Sequence, residues 1–213
     1  MGSEMCIRDR FISLDGINEK GVSIAVLTLD SKPVRQQSGK PVIATTLAIR
    51  LILDRAASTE EAVTLFEKYD MFASSGRDYH FYVTDSNGDG RVIEYDCNSN
   101  DRKLVVTKSS AVTNFFVMYK NFVKPYQKNG VYGHGRERYD KIINVLEKNN
   151  SYTKETAWEA LVSASQAPNP NDITSNTQWS IVYDNTNLTA DISIRRDWNT
   201  VTKYSLKENK ITE

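Results

Sequence analysis

The sequence predicts an α+β domain in which blocks of strands and pairs of helices follow one another. β-Branched apolar runs occur near both ends, two segments show paired helical periodicity, and single strands do not alternate with single helices. The resulting order of strands, helix pair, strands, helix pair and strands favours antiparallel layers over βαβ units. No repeat or linker divides the pattern, so we expect one domain over residues 11–213.

The first block predicts a hairpin followed by two helices. The run "GVSIAVLTL", Gly21 to Leu29, is entered through the turn-like "LDGINEKG" and reads as a mostly buried strand. In "TTLAIRLILDRAA" the four-residue steps indicate a helix packed on a sheet. The predicted stripe contains Leu47, Leu51 and Arg55, widened by Ile43, Ala44, Ala48 and Ile52.

The second helix begins at a capping box. Ser58 is followed three residues later by Glu61, a spacing typical of a helix start, and the helix is predicted to run through Tyr69. Its predicted buried face comprises Ala62, Leu65, Phe66 and Tyr69.

The remaining blocks follow the same order. Four short strands are predicted in "DYHFYVTD", "RVIEYD", "KLVVTK" and "AVTNFF". The segments "RERYDKIINVLEKN" and "TKETAWEALVSAS" predict a second helix pair, in which Tyr139 and Trp158 occupy apolar positions. After the break at "QAPNPND", three segments predict an antiparallel meander: "QWSIVYD", "LTADISIRR" and "VTKYSLK".

Composition excludes several classes of partner. The 27 basic and 27 acidic residues give a net charge of zero, so we expect no nucleic-acid partner and no anionic membrane partner. No apolar run is long enough to span a membrane. The two cysteines, Cys6 and Cys97, form no recognisable disulfide or metal pattern.

The segment "DSNGDGRVIEYD" matches a calcium loop. Asp85, Asn87, Asp89 and Asp96 stand at loop positions 1, 3, 5 and 12, with Gly90 at the sixth. An EF-hand loop needs flanking helices, whereas strand-like alternation flanks this one, and Asn-Gly and Asp-Gly are hairpin turn dipeptides. The turn is therefore the preferred interpretation, and a non-catalytic calcium-binding module is the alternative function.

Other conspicuous residues predict ordinary roles. His80 lies within a strand and His134 within a glycine-rich loop, and neither has a second ligand nearby in sequence, so we expect no metal site. Trp158 and Trp179 occupy core-type positions, and we interpret Cys97 as a small, partly buried side chain.

Five ordered segments resemble the choloylglycine hydrolase family of linear amide C-N hydrolases, which includes bile salt hydrolases and penicillin V acylases. They are "LDGINEKGVSIAVLTL", "TTLAIRLILDRAASTEEAVTLFEKYDMFASSGRDYHFYVTD", "AVTNFF", "GRERYDKI" and "TQWSIVYD". The likeness runs from about Phe11 to Leu206. It implies an N-terminal nucleophile fold, a four-layer αββα sandwich of antiparallel sheets that here lacks its first strands, and it implies no cofactor.

Family members begin with a cysteine whose thiol attacks the amide while its own α-amino group acts as base. In the family several dozen residues separate that cysteine from the "DGINEKG"-like hairpin, but here only Ile7 to Leu14 lie between Cys6 and Asp15. Moreover, the sequencing-adapter string ATGTGTATAAGAGACAG translates as Met-Cys-Ile-Arg-Asp followed by Arg or Ser, which matches "MCIRDR", residues 5–10. We therefore interpret residues 1–10 as a non-native tag or adapter segment, and expect the native nucleophile to be absent and the fragment inactive.

The resemblance implies roles for three residues. Asn114, in "VTN", aligns with the asparagine whose side-chain amide helps to bind the oxyanion. Arg138 aligns with the arginine near the nucleophile, where a fixed positive charge would favour thiolate, although Arg136 competes for the assignment. Thr28 stands at a substrate-binding position that is asparagine in bile salt hydrolases and tyrosine in penicillin acylases. We thus expect a small-molecule N-acyl amide substrate, and the sequence does not specify its acyl group.

Location and assembly stay open too. No signal-peptide pattern is present, which favours the cytoplasm, but the first ten residues are interpreted as non-native. A homo-oligomer is possible, because a missing early strand would expose sheet edge or core surface.

Overall fold

The computed structural model describes residues 13–128, 130–149, 152–171 and 176–212. The predicted adapter segment, with Cys6, lies outside these residues. The strands are β1 (Asp15–Ile17), β2 (Ser23–Leu29), β3 (Val42–Ala44), β4 (Asp70–Phe72), β5 (Asp78–Thr84), β6 (Gly90–Tyr95), β7 (Leu104–Lys108), β8 (Trp179–Asp184), β9 (Thr189–Ile194), β10 (Val201–Ser205) and β11 (Lys210–Thr212). The α-helices are α1 (Thr45–Arg55), α2 (Thr59–Glu67), α3 (Arg136–Lys148) and α4 (Lys154–Ala164).

The first sheet has the order β1-β2-β5-β6-β7, with every neighbouring pair antiparallel. Its first hairpin confirms the interpretation of "LDGINEKG". The Asn18 side-chain oxygen accepts the backbone N–H groups of Lys20 and Val22, each at 3.0 Å, which satisfies the turn. Gly21 has a φ of 75°, and a Cβ there would lie 2.2 Å from the carbonyl oxygen of Asn185, so the turn requires glycine.

Helices α1 and α2 cover one face of this sheet. They contribute the buried residues Ala48, Ile49, Ile52, Ala62 and Phe66 to a core that includes Phe81 and Ile93 from the strands. The predicted face of α2 is correct at its centre, and the Ser58 side chain accepts the Glu61 N–H at 3.1 Å, as a helix cap should.

The predicted face of α1 is wrong in part. Leu47 is 62% exposed and Arg55 is exposed, whereas Ile49 is fully buried. The buried stripe of α1 consists of Thr45, Ala48, Ile49 and Ile52 and lies next to the predicted one. Both sets of residues recur at steps of three and four, so the helical period alone did not distinguish them.

Helix α2 ends at Glu67 rather than Tyr69, because the chain turns there into β4. Strand β4 pairs with β3 in a parallel two-stranded sheet that the sequence did not predict. Both strands have only three residues, too few to show a period of their own.

The prediction of a strand at "AVTNFF" is wrong. Residues 111–116 form an extended segment that bends at Asn114, where the Phe115 N–H donates to the Thr113 carbonyl oxygen at 2.9 Å, and the segment makes only an isolated bridge between Phe115 and Gly133. Ala111, Thr113 and Phe115 are buried, but Phe116 is fully buried too, so the segment does not keep the alternating burial of a strand. Two 3₁₀ turns follow over Val117–Phe122.

A buried carboxylate fixes these turns to the first sheet. Glu94 of β6 is fully buried and accepts the backbone N–H groups of Val117 at 2.7 Å and Met118 at 3.0 Å. It also accepts a hydrogen bond from Nδ1 of the fully buried His80 at 3.0 Å. The prediction of a structural role for His80 is therefore confirmed.

The second sheet has the order β11-β10-β9-β8 and is antiparallel. Helix α4 packs against β8 and against α3, and Lys154 at its start forms an ion pair with the buried Asp191 of β9. Side-chain bonds join the sheets: the Tyr183 hydroxyl donates to Asp15 at 2.6 Å, the Trp179 indole donates to the same carboxylate at 3.4 Å, and the Asn185 side chain donates to Thr84 at 2.9 Å. The helix pairs flank the two sheets, which confirms the predicted antiparallel αββα sandwich.

The closing meander is confirmed for β8 to β10, and β11 adds a strand that was not predicted. Trp158 is half-buried and packs edge-on against Trp198. The core prediction for Trp179 is wrong: the residue is 44% exposed, because β8 is an edge strand.

Replacement of Glu94 tests the buried carboxylate. We expect Glu94→Ala to lower the free energy of unfolding by about 3 kcal/mol or more, because it leaves two backbone N–H groups and the His80 ring buried without their acceptor. Denaturant unfolding measures this. Glu67→Ala, on the exposed side of α2, is the matched control and should change stability by less than about 0.5 kcal/mol. Equal effects of the two substitutions would contradict the role of Glu94.

Candidate active site

Asn114 lies where the extended segment 111–116 passes the end of β2. The neighbouring side chains of Thr113 and Phe115 point into the core, so that of Asn114 is directed toward the first sheet. Its Nδ2 donates to the Thr28 carbonyl oxygen at 3.0 Å and to the Thr28 hydroxyl at 3.3 Å. β1 pairs with Ser23–Ala25, and the Leu14 carbonyl oxygen accepts the Val26 N–H at 2.9 Å. Beyond Val26 no strand among the described residues pairs with this side of β2, and Asn114 contacts Thr28 there.

Arg138, in the first turn of α3, completes the cluster. Its Nη2 donates to Oδ1 of Asn114 at 2.9 Å. A directed series of hydrogen bonds thus runs from Arg138 through Asn114 to Thr28. The three residues that the sequence assigned to one site are brought together by the fold.

The neighbours of Asn114 fix the orientation of its amide. A guanidinium can only donate hydrogen bonds, and a backbone carbonyl can only accept them. The oxygen of the amide must therefore face Arg138, and its nitrogen must face Thr28. The amide N–H groups point away from the positive charge, which polarises them and strengthens them as donors.

The Arg138 guanidinium has no carboxylate at ion-pair distance among the residues that the structure describes. The side chain is half-buried, and burial lowers the pKa of Arg138, while the nearby Glu137 raises it. An arginine stays protonated at any physiological pH. The site therefore contains a partly desolvated positive charge whose closest polar partner is a neutral amide.

Arg136 lies elsewhere. Its Nε donates to Asp140 at 2.7 Å, one turn further along α3, and its Nη1 donates to the Lys120 carbonyl oxygen at 2.6 Å. Both contacts are typical of a structural arginine at a helix start. The geometry accordingly places Arg138, and not Arg136, beside Asn114.

Two glycines make room for the cluster. Gly133 has a φ of 105°, and a Cβ there would lie 2.2 Å from the Asn114 carbonyl oxygen. Gly135 has a φ of 86°, and a Cβ there would lie 2.3 Å from Nη2 of Arg138. Any side chain at either position would displace a site residue as well as strain the backbone. The glycine-rich loop around His134 was visible in the sequence, but no role in the site was predicted for its glycines.

A cavity of about 500 Å³ lies beside the cluster. The residues that line it include charges of both signs: Asp30, Tyr126, Gln127, Lys128, His134, Gly135 and Glu137. His134 joins the cavity to the site. It lies between the two glycines, and its backbone N–H donates to the backbone carbonyl oxygen of Asn114 at 2.9 Å. The sequence did not associate His134 or Asp30 with the site.

A larger cavity, of about 1140 Å³, lies at the calcium-like segment, and its lining includes neither the three site residues nor their neighbours His134 and Gly135. Thr28, Asn114 and Arg138 line neither cavity themselves; the smaller one reaches the cluster through His134, Gly135 and Glu137. The segment forms the turn between β5 and β6, as preferred in the sequence interpretation. Asp85 accepts the Thr59 N–H at 3.0 Å and so caps α2. Hydrogen bonds from Arg91 and Thr59 lower the pKa of Asp89 to about 2.

The carboxylates of Asp85 and Asp89 thus already form hydrogen bonds and ion pairs. Strands β5 and β6, and not helices, flank the loop. Among the described residues no group of three His, Cys, Asp or Glu side chains could hold a metal ion. In the same residues no helix is long and apolar enough to cross a membrane.

Cys97 follows β6 and is half-buried. Burial is the main cause of its raised pKa, which disfavours the thiolate form. It therefore has the wrong electrostatic environment for a nucleophile.

Comparisons with known proteins agree with the fold. The family model described as acyl-coenzyme A:6-aminopenicillanic acid acyl-transferase matches residues 11–198. None of the curated proteins matches the chain. A variant of the conjugated bile acid hydrolase from Clostridium perfringens aligns with a TM-score of 0.71 and 15% identity, over 94% of this chain and 76% of that one. Penicillin V acylase from Agrobacterium tumefaciens aligns with a TM-score of 0.71 and 18% identity, over 93% of this chain and 67% of that one.

Both structures are too distant in sequence to establish more than the fold. Together with the family match, they confirm the predicted resemblance to the choloylglycine hydrolase group of N-terminal nucleophile proteins.

Calcium titration tests the alternative interpretation of the Asp85–Asp96 segment. We expect calorimetry with Ca²⁺ to give no saturable heat, because Asp85 and Asp89 already bond to Thr59 and Arg91. Saturable binding that is abolished by Asp85→Asn would contradict this and support a calcium site.

Proposed function

We propose, from the premise that this chain belongs to the acyl-coenzyme A:6-aminopenicillanic acid acyl-transferase family, that its site cleaves a linear amide of a small molecule. Family and fold support amide-bond hydrolysis or acyl transfer of the N-terminal nucleophile type. The observation that carries the proposal is the hydrogen-bond series from Arg138 through Asn114 to Thr28.

Asn114 is proposed to stabilise the oxyanion. When a nucleophile adds to an amide carbonyl, the oxygen becomes negative and requires N–H or O–H donors that are already in position. The Asn114 amide has two hydrogens, and the bond to the Thr28 carbonyl at 3.0 Å engages one of them. The weaker contact at 3.3 Å with the Thr28 hydroxyl is the one that an oxyanion would replace.

Thr28 is proposed to contact the substrate beside this oxyanion. Once its hydroxyl no longer accepts from Asn114, the hydroxyl can donate a second hydrogen bond to the oxyanion or to a neighbouring polar group. This position is asparagine in bile salt hydrolases and tyrosine in penicillin acylases, and threonine is smaller than either. Thr28 thus favours neither bile salt conjugates nor penicillin V, and another linear N-acyl amide fits equally well.

Arg138 is proposed to act through its charge. A half-buried guanidinium without a carboxylate partner in the described residues stabilises any anion placed beside it. In a cysteine mechanism that anion is the thiolate or a carboxylate that orients the nucleophile. Arg138 also holds Oδ1 of Asn114, so it keeps the amide nitrogen directed toward the reacting centre.

The nucleophile is proposed to be an N-terminal cysteine. Its sulfur would form a bond to the acyl carbon while the C–N bond breaks, and its α-amino group would pass the thiol proton to the leaving amine. Water, or an acceptor amine, would then attack the thioester and release the cysteine. We propose that Cys6 belongs to an adapter-derived segment and does not fill this role, and the environment of Cys97 does not suit it.

Activity measurements on two forms of the protein test this assignment. The 213-residue chain should release no amine from N-acyl amides, bile salt conjugates or penicillin V, because on this proposal neither Cys6 nor Cys97 is the nucleophile. A form that carries the native upstream gene sequence, beginning at cysteine, should hydrolyse at least one linear amide.

Amine release is the measurement, and Cys6→Ala in the 213-residue chain is the control. Activity of the chain that is lost in Cys6→Ala would show that Cys6 is the nucleophile after all.

Substitutions of the site residues test the assigned roles in the active form. Asn114→Ala should lower kcat by roughly a hundredfold or more, about 3 kcal/mol, the usual loss for one oxyanion donor. Arg138→Ala should also lower kcat, because the charge beside the nucleophile is lost.

Arg136→Ala is the matched control for Arg138→Ala, since it removes an arginine two residues away whose partners are Asp140 and Lys120. It should have much the smaller effect on turnover. Near-wild-type turnover of Asn114→Ala would remove Asn114 from the mechanism, and equal losses for both arginines would remove the assignment of Arg138.

A further inference from the structure

We propose that His134 is a positioning residue, which fixes the distance between Asn114 and Thr28 through a hydrogen bond to Asp30. The inference rests on the proposed function of Asn114 and Thr28. It adds a pair of residues, His134 and Asp30, that contact neither the oxygen nor the nitrogen of the Asn114 side-chain amide.

The contacts form a closed ring. The side-chain Nδ2 of Asn114 donates to the backbone carbonyl oxygen of Thr28 at 3.0 Å. The backbone carbonyl oxygen of Asn114 accepts the backbone N–H of His134 at 2.9 Å. His134 Nδ1 is 2.7 Å from Oδ2 of Asp30, and Asp30 follows Thr28 by two residues in the chain. Each link therefore constrains the others, and the end of β2 cannot move away from Asn114 without breaking one of them.

The glycines on either side of His134 make the ring possible. Gly133 and Gly135 have positive φ angles, and their hydrogens are in the space where a Cβ would strike Asn114 and Arg138. The backbone of His134 thus lies directly against the Asn114 backbone, while its ring extends outward to Asp30. The Gly135 carbonyl oxygen also accepts the Thr113 hydroxyl at 2.9 Å, which holds the same loop to the residue before Asn114.

The pair acts through geometry more than through stability. The side chains of His134 and Asp30 are 43% and 46% exposed, and exposed ion pairs contribute little to the free energy of unfolding. Two other charged residues line the adjoining cavity, Lys128 and Glu137. Glu137 already accepts the Tyr126 N–H at 2.9 Å, so its charge is not the partner of His134.

Loss of the pair should consequently leave the fold intact and loosen the amide of Asn114. With the ring open, the route from the Asn114 backbone through His134 to Asp30 is lost, and the bond from the Asn114 amide to Thr28 alone links Asn114 to the end of β2 around the ring. An oxyanion donor must be held in place before the reaction to be effective. The His134–Asp30 pair supplies part of that constraint from outside the reacting centre.

Nuclear magnetic resonance of the 213-residue chain tests the inference without any need for activity. The side-chain amide signals of Asn114 are identified as the pair that disappears in Asn114→Ala. In His134→Ala we expect these signals to shift and their hydrogen exchange to accelerate by about fivefold or more, since the amide is less constrained. We expect the melting temperature to change by no more than about 2 °C, because the pair is exposed.

Further variants separate positioning from a general effect on the loop. Asp30→Ala should reproduce the change, and the double variant should add nothing to either single one, because both residues belong to one link. His134→Gln retains a side-chain donor and should restore part of the wild-type signal. Lys128→Ala, on the same cavity, should leave the Asn114 signals unchanged.

Unchanged Asn114 signals in both His134→Ala and Asp30→Ala would overturn the inference, and so would additive effects in the double variant. If His134→Ala does not fold, Asp30→Ala, which removes the acceptor of the His134 ring, decides alone through the presence or absence of the same spectral change. None of these outcomes depends on turnover, so a failure here leaves the proposed amide cleavage standing. Conversely, if turnover measurements showed that Asn114 has no part in catalysis, the spectral changes expected here would be the same.

Discussion

The buried carboxylate of Glu94 is the interaction on which the position of the site depends. Burial of a charge in a sheet interior is costly unless several donors surround it. Here the donors are two consecutive backbone N–H groups at the start of the 3₁₀ turns and the ring of His80. Since this arrangement admits no slippage of Val117 along β6, the chain three residues earlier is fixed as well, and that is where Asn114 lies.

From this fixed point three chain segments converge at the end of β2. The strand supplies Thr28, the extended segment supplies Asn114, and the first turn of α3 supplies Arg138. Glycines at 133 and 135 allow the last two to approach within hydrogen-bond distance. The result is an amide whose orientation is dictated by its neighbours, next to a positive charge that has lost part of its hydration. Such preorganisation is what stabilisation of a developing negative charge requires.

The acidic turn between β5 and β6 shows how the same residue types can serve another purpose. Asp85 and Asp89 match a calcium loop by spacing, yet they bond to Thr59 at the start of α2 and to Arg91 on the adjoining strand. Carboxylates near a helix N-terminus are stabilised by its unpaired N–H groups. The motif therefore holds a helix to a sheet, and its chemistry follows from the strands around it.

The sequence by itself determined the elements whose signals are local. The "LDGINEKG" hairpin, the cap at Ser58, the three strands from residue 78 to residue 108 and both helix pairs were predicted, because turn dipeptides, capping residues and periodicity act over a few residues. The resemblance to a family then selected Thr28, Asn114 and Arg138, although no local pattern connects them.

Only the tertiary structure decided the rest. The α1 face moved to Ile49, "AVTNFF" became an extended segment that packs without a sheet partner, and Trp179 lies on an exposed edge. The bond between Asn114 and Thr28 joins residues 86 positions apart, and that between His134 and Asp30 joins residues 104 apart. Contacts of this kind depend on how the layers pack, and packing is a property of the whole chain, so neither propensity nor spacing could specify them.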